Sequence, residues 1–164
     1  PEHLTFVAEE IERLRAGIYQ GGLLEASIRA LLYVSRFRGE ADERRFNLAA
    51  SLQQPDYLVH LDMASFRQLV RRQANLMRLD LDAATAAIPR LLADSAANEI
   101  RDQARLLEQM LTATEALLPE EEASLAQMLK VFDDAAHEQE AIVTAGKRSL
   151  GRSNENNTAK PGEP

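Results

Sequence analysis

Residues Asp62–Phe132 read DMASFRQLVRRQANLMRLDLDAATAAIPRLLADSAANEIRDQARLLEQMLTATEALLPEEEASLAQMLKVF. Phe66, Leu69, Val70, Leu76 and Met77 recur at three- and four-residue spacing, with Gln73 in the same stripe. Ile100, Ala104, Leu107, Leu111 and Thr114 form a second such stripe, and Leu125, Met128, Leu129 and Phe132 a third. That spacing puts each set on one face of a helix. Very short connections separate the segments, so the stretch is a packing unit of amphipathic helices.

The flanking sequence extends the pattern. Leu4, Val7, Ala8, Ile11 and Leu14 predict a first helix over about 3–15, closed by Gly17 and the pair Gly21-Gly22. Leu24, Ile28, Leu31, Leu32 and Ser35, widened by Leu23, Ser27, Ala30 and Val34, predict a second over about 23–37. So broad an apolar face implies a central helix packed on more than one side. A third helix runs to about Gln53, with Asp42 as its N-cap. Pro55 interrupts the pattern, and the apolar Tyr57, Leu58, Val59 and Leu61 are expected to insert into the bundle. Asp62 caps the fourth helix, and Asp80 or Asp82 the fifth, over 83–92, where Pro89 either kinks it or begins a new turn. Pro119 suits a first helical position, and Glu120, Glu121 and Glu122 then complement the helix dipole. The expectation is an all-α bundle of about seven helices spanning 1–146, followed by a disordered tail, 147–164, of almost no apolar content.

Composition excludes several classes of function. Ala and Leu dominate, aromatics are 5 % and Trp is absent, which favours helix packing over β-sandwiches. With no Cys there is no disulfide, thiolate metal site or Cys nucleophile, a usage compatible with the cytoplasm, where the chain is expected to work. No apolar run approaches the ~20 residues of a membrane span, and the first residues do not form a signal peptide. Pro1 in place of Met suggests a piece processed or excised from a longer protein. The net charge of -7 falls wholly in residues 81–164, which argues against a nucleic-acid partner.

No constellation of catalytic residues emerges. His3, His60 and His137 are far apart in sequence and lack the helical zinc spacing, so no metal or cofactor is expected. Asp133, Asp134, Glu138 and Glu140 read as a solvated face, Gln73 as a structural residue satisfying a buried backbone group, and a carboxylate enzyme as the remotest reading. The arginines stand out more. Arg36, Arg38, Arg44 and Arg45 cluster about the turn that follows the second helix, and Arg67, Arg71, Arg72 and Arg78 line the fourth helix. They are either a solvated face laced with Glu pairs or a surface for an anionic partner, because arginine forms planar bidentate pairs.

Two segments share one design, RALLYVSRFRGEADERRFNLAASL (29–52) and RLLEQMLTATEALLPEEEASLAQML (105–129). The pair resembles the helical repeat of TerB-like domains, whose turns follow Asp-Gly-x-hydrophobic-x-x-x-Glu and imply a cation held between helices. Here Arg38 and Arg45 occupy the first turn's acidic positions and Thr114 and Glu115 replace the second turn's Asp-Gly, leaving Leu117 and Glu121 in pattern. Arginines cannot ligate a hard cation, so the resemblance implies the fold without the metal.

A further set of segments is GLLEASIRALLYVSRFRG (22–39), FRQLVRRQ (66–73), LMRLDLDAATAAIPRLL (76–92) and LLPEEEASLAQMLKVF (117–132). Together they resemble the C-terminal helical region of a bacterial family of poly(3-hydroxyalkanoate) synthetase-related proteins. That resemblance implies an upstream α/β-hydrolase-like domain, and the chain would dock on it or self-associate. The Gly-x-Ser-x-Gly nucleophile elbow of such a domain is absent, so this piece is expected to be non-catalytic. The alternative function is a TerB-like metal- or ligand-sensing module related to tellurite or stress resistance.

Overall fold

A computed structural model describes residues 1–38, 42–113 and 116–157, the side chains of 42–44 and 152–157 excepted. All regular secondary structure among the described residues is helical, with no strand: α1 (Glu2–Gly17), α2 (Leu23–Ser35), α3 (Asp42–Ser51), α4 (Met63–Leu79), α5 (Leu81–Ala86), α6 (Ile88–Leu92), α7 (Ala97–Thr112) and α8 (Pro119–Asn157). The all-α bundle is as the periodicity predicts. Eight helices stand among the described residues because the expected fifth divides at Ala87. Pro89 settles into the first turn of α6, where its missing N–H costs nothing, so it opens a new helix instead of kinking an old one.

Local chemistry sets the boundaries. Asp62 accepts the Ser65 N–H at 2.8 Å and Asp80 the Ala83 N–H at 3.0 Å, which caps α4 and α5. Gly21 has φ +125, and a Cβ there would meet the Glu25 side chain at 2.8 Å. Only glycine accommodates that turn, which lets the Glu25 carboxylate fold back to accept the Gly22 N–H at the start of α2. The N-cap expected of Asp42 and the apolar position of Thr114 lie outside the described side chains and residues.

α2 is the central element and touches α3, α4, α5, α6, α7 and α8, as its broad apolar face implies. Its Ile28, Leu31 and Val34 are buried with Phe66, Leu92, Ile100, Leu107 and Phe132 in one core, where the Phe46 and Phe66 rings meet at 5.5 Å. A smaller cluster of Ile18, Leu76 and Ala87 joins the end of α1 to α4 and α5. The connection 54–61 inserts less than its composition suggests. Leu58 and Leu61 pack on the core, but Val59 is 78 % exposed and Tyr57 lies at the surface. Tyr57 is held there by donating to Asp102 on α7 at 2.7 Å. Burial and that carboxylate push its hydroxyl pKa upward.

Inside the apolar run of α2 sits a charge. Arg29 is 0 % exposed. Its Nε donates to Gln73 Oε1 at 2.8 Å, Nη1 to Ile18 O at 2.7 Å and Ala84 O at 3.1 Å, and Nη2 to Gly17 O at 3.2 Å. Gln73 therefore serves a side chain and not the backbone group expected of it. Gly17, Ile18 and Ala84 belong to the C-terminal ends of α1 and α5, where the helix dipole is negative and carbonyls lack partners. Burial lowers the Arg29 pKa and the Glu25 charge opposes that; an arginine keeps its proton all the same.

At its far end α8 outruns the body. Gln139 donates to Ala93 O at 2.7 Å, and every side chain from Glu140 to Gly151 is exposed. Packing is thus lost before the expected boundary near Gly146, while the helical backbone continues to Asn157. Residues 158–164 of the expected tail lie outside the described residues.

Two outcomes follow from these contacts. Replacing Arg29 by Met keeps bulk but strands four buried acceptors, so urea unfolding should show a loss of about 3–5 kcal/mol; a loss near zero would mean the network contributes nothing. Asp62 is held below the ordinary carboxylate range by its hydrogen bonds with Ser65. Its contribution is therefore present at neutral pH and is lost as pH falls through the folded value. Asp62→Asn retains an acceptor and should flatten the acid limb of the melting temperature against pH, with little change at neutrality.

Candidate functional site

The arginines singled out by sequence divide into two groups. Arg36 lies over the Tyr33 and Phe37 rings, at 3.8 and 4.1 Å, and donates to Ser124 Oγ on α8 at 3.0 Å. Arg38 donates through Nε to Glu121 Oε1 at 2.8 Å and through Nη2 to Ala116 O at 2.8 Å. Arg45 Nη2 reaches Ser35 O at 3.1 Å and also Arg38 O. Arg36 and Arg38 hold the segment after α2 against the start of α8, and Arg45 ties α3 to that same segment. Arg44 lies outside the described side chains.

Glu121 stands apart from its two neighbours in the acidic triplet. Its side chain is 2 % exposed, and the same Oε1 that pairs with Arg38 accepts the Leu118 N–H at 3.0 Å. That is the return half of a capping box, an N3 glutamate reaching back to the N-cap. Glu120 and Glu122 are exposed and add only their charge to the dipole. The basic residue at the first turn and the acid at the second thus neutralise one another across the bundle.

The second group faces solvent. α4 carries four arginines and no acid between Met63 and Leu79. Arg67, Arg71 and Arg78 join Arg45 in lining a groove of about 510 Å³, whose other walls are Leu32, Phe46, Val70, Ala74 and Asn75. Arg67 stacks on the Phe46 ring at 4.3 Å. No described carboxylate lies within ion-pair distance of Arg67, Arg71, Arg72 or Arg78, so the Glu lacing considered from sequence is not found there among the described residues. Arg45 Nε is buried without an acceptor among the described residues. Arg72 points elsewhere: it lies against Gly17, where an added Cβ would meet its guanidinium at 3.1 Å. The sequence signal for the groove was the charge asymmetry of α4, and only the α2 and α3 side chains at its floor were hidden from it.

The remaining candidates are dispersed. His3, His60 and His137 are all exposed, on α1, on the 54–61 connection and on α8. His137 Nδ1 lies 3.4 Å from Asp133 Oδ2. Lys130 pairs with Asp134 at 2.7 Å, and Arg101 pairs with Glu140, whose pKa that hydrogen bond lowers. These are surface pairs of the kind that contributes little. Among the described residues no three His, Asp or Glu side chains are grouped as a metal would require. Nor is any helix there long and apolar enough to cross a membrane.

No family model matches the chain, and no solved structure matches it. A curated relative does. The chain is similar to the "Uncharacterized protein in ackA 5'region" of Rhizobium meliloti, 38 % identical over 91 residues. The match covers 55 % of this chain and 12 % of the relative, so the relative is several times longer than the shared region.

The two arginine groups should separate in stability measurements. Arg38→Met leaves the buried Glu121 carboxylate without its partner and should cost about 3 kcal/mol or more. Adding Glu121→Leu should recover part of that loss, because the stranded charge is gone, and a double-mutant cycle reads the coupling directly. Arg71→Gln and Arg78→Gln should leave the unfolding curve unchanged within error. Equal losses at all three arginines would erase the division drawn here.

Proposed function

We infer that this chain is a non-catalytic interaction domain of a longer protein, and that it docks on a partner domain through the arginine-lined groove. The observation that carries the reading is four arginines around one apolar-floored cavity with no described carboxylate to neutralise them. Arginines without a carboxylate partner among the described residues gain little from folding, whereas planar guanidinium groups beside aromatic and aliphatic surface are the composition of a protein interface. The much greater length of the Rhizobium meliloti relative agrees with a domain that works as part of a larger chain. The resemblance of segments 22–39, 66–73, 76–92 and 117–132 to poly(3-hydroxyalkanoate) synthetase-related proteins supplies the parent in this reading. It would be an α/β-hydrolase-like protein of the cytoplasm, whose own chemistry resides upstream.

The competing reading, a TerB-like cation sensor, meets a physical objection. Glu121, the acid that keeps its place in the turn pattern, already spends its carboxylate on Arg38 and the Leu118 N–H. A cation would have to displace a guanidinium from a buried site.

Two assays test the proposal together. Hydrolysis of short-chain nitrophenyl esters by the isolated chain should stay at the buffer rate; turnover abolished by one Ser or His substitution would overturn it. Calorimetric titration with Ca²⁺, Zn²⁺ and Mn²⁺ should give no stoichiometric binding, and tight one-to-one uptake would favour the sensor instead.

A further inference from the structure

The groove has a shape as well as a charge. Arg67, Arg71 and Arg78 stand at i, i+4 and i+11 along α4, one stripe of that helix. At 1.5 Å per residue the outer two are separated by about 16 Å along the axis. Ala74, at i+7 in the same stripe, leaves a dip where a fourth large side chain would stand, and Asn75 beside it offers an amide. Leu32 and Phe46 enter from α2 and α3, so the floor is apolar and the row of arginines forms its rim. Arg45 closes the opposite side, with two of its donor contacts already fixed on backbone carbonyls. Among the described residues Arg67, Arg71 and Arg78 have no carboxylate partner, and they are strung in a line.

A compact anion would satisfy one or two of these guanidinium groups and leave the rest, with the apolar floor unused. A linear occupant that alternates charge and hydrocarbon uses all of it. Resting on the docking role inferred above, we propose that the groove receives an amphipathic helix of a partner domain. Its apolar stripe lies on Leu32, Val70 and Ala74, and its acids stand opposite Arg67, Arg71 and Arg78. This is helix-in-groove recognition, with anchors on one face supplying affinity and rim charges fixing register. A partner helix parallel to α4 would carry acids at i, i+4 and i+11, and an antiparallel one at i, i+7 and i+11.

The test is a display library of helical peptides with an apolar stripe and randomised flanks, selected on the whole chain and on R67E/R71E/R78E. All three positions are exposed, and circular dichroism verifies that the variant is folded. Clones enriched on the unaltered chain should carry Glu or Asp at one of the two spacings. Their affinity, read by fluorescence anisotropy, should fall at least tenfold on R67E/R71E/R78E and decline as salt rises. Clones enriched on the charge-reversed chain should carry Lys or Arg at those positions. Enrichment without acids, or no enrichment at all, overturns the proposal. So does pyrophosphate binding that depends on the same arginines and displaces no peptide. Concentration-dependent dimerisation abolished by R67E/R71E/R78E would also overturn it, by naming a second copy as the occupant. None of these results bears on the esterase and cation assays, so the docking partner and the non-catalytic role fail separately.

Discussion

One guanidinium holds the middle of this molecule together. Arg29 projects from the central helix into a region closed to solvent, where a charge is tolerable only if hydrogen bonds replace its hydration. The fold supplies them from three directions: two carbonyls at the end of α1, one near the end of α5 and the amide of Gln73 on α4. Each acceptor fixes the position of an element relative to α2. An apolar residue there would fill the same volume but would not say where α1 has to stop or how α5 must approach. The geometry also suits both sides, since helix ends carry surplus acceptors and a guanidinium carries only donors.

A second arginine repeats the logic at the other end of the bundle, with a different partner. Arg38 meets an acid that is itself buried and that caps the helix it starts, so one carboxylate fastens the α2 side of the molecule to α8 and organises the α8 N-terminus. Arginine in this chain thus has two uses. Arg29, Arg36, Arg38 and Arg45 spend their donors within the molecule, and the row on α4 meets no carboxylate among the described residues.

The sequence made the helices readable because burial imposes its period directly: the stripes on α2, α4, α7 and α8 are the core faces. Caps were readable too, since Asp62, Asp80 and Pro119 act within four residues of themselves. What escaped were properties that exist only across distance. Arg29 stands among Leu and Ala where nothing marks it as buried, and its acceptors come from positions 17, 18, 73 and 84. The pairing of Arg38 with Glu121 spans 83 residues. The 54–61 connection was overread, since hydrophobic content alone does not tell an inserted side chain from one left in solvent like Val59. Of the groove, α4 could be seen in advance as uniformly basic, but the apolar floor needed α2 and α3 to be set beside it.

The overhang of α8 has its own physical meaning. Its apolar stripe continues past Gln139 through Ile142, Val143 and Leu150, all uncovered, and a Cβ at Gly146 or Gly151 would meet nothing beyond the helix's own nearby backbone. Helix initiation is the costly step and is already complete inside the bundle, so the overhang is extended by propagation alone. Each added turn is then worth little, and each glycine subtracts about 1 kcal/mol. The helix end therefore behaves like a zipper fed from one side, its amide protection decaying residue by residue from the body outward. Its length in solution is a balance set by temperature and by whatever comes to lie against Ile142 and Val143.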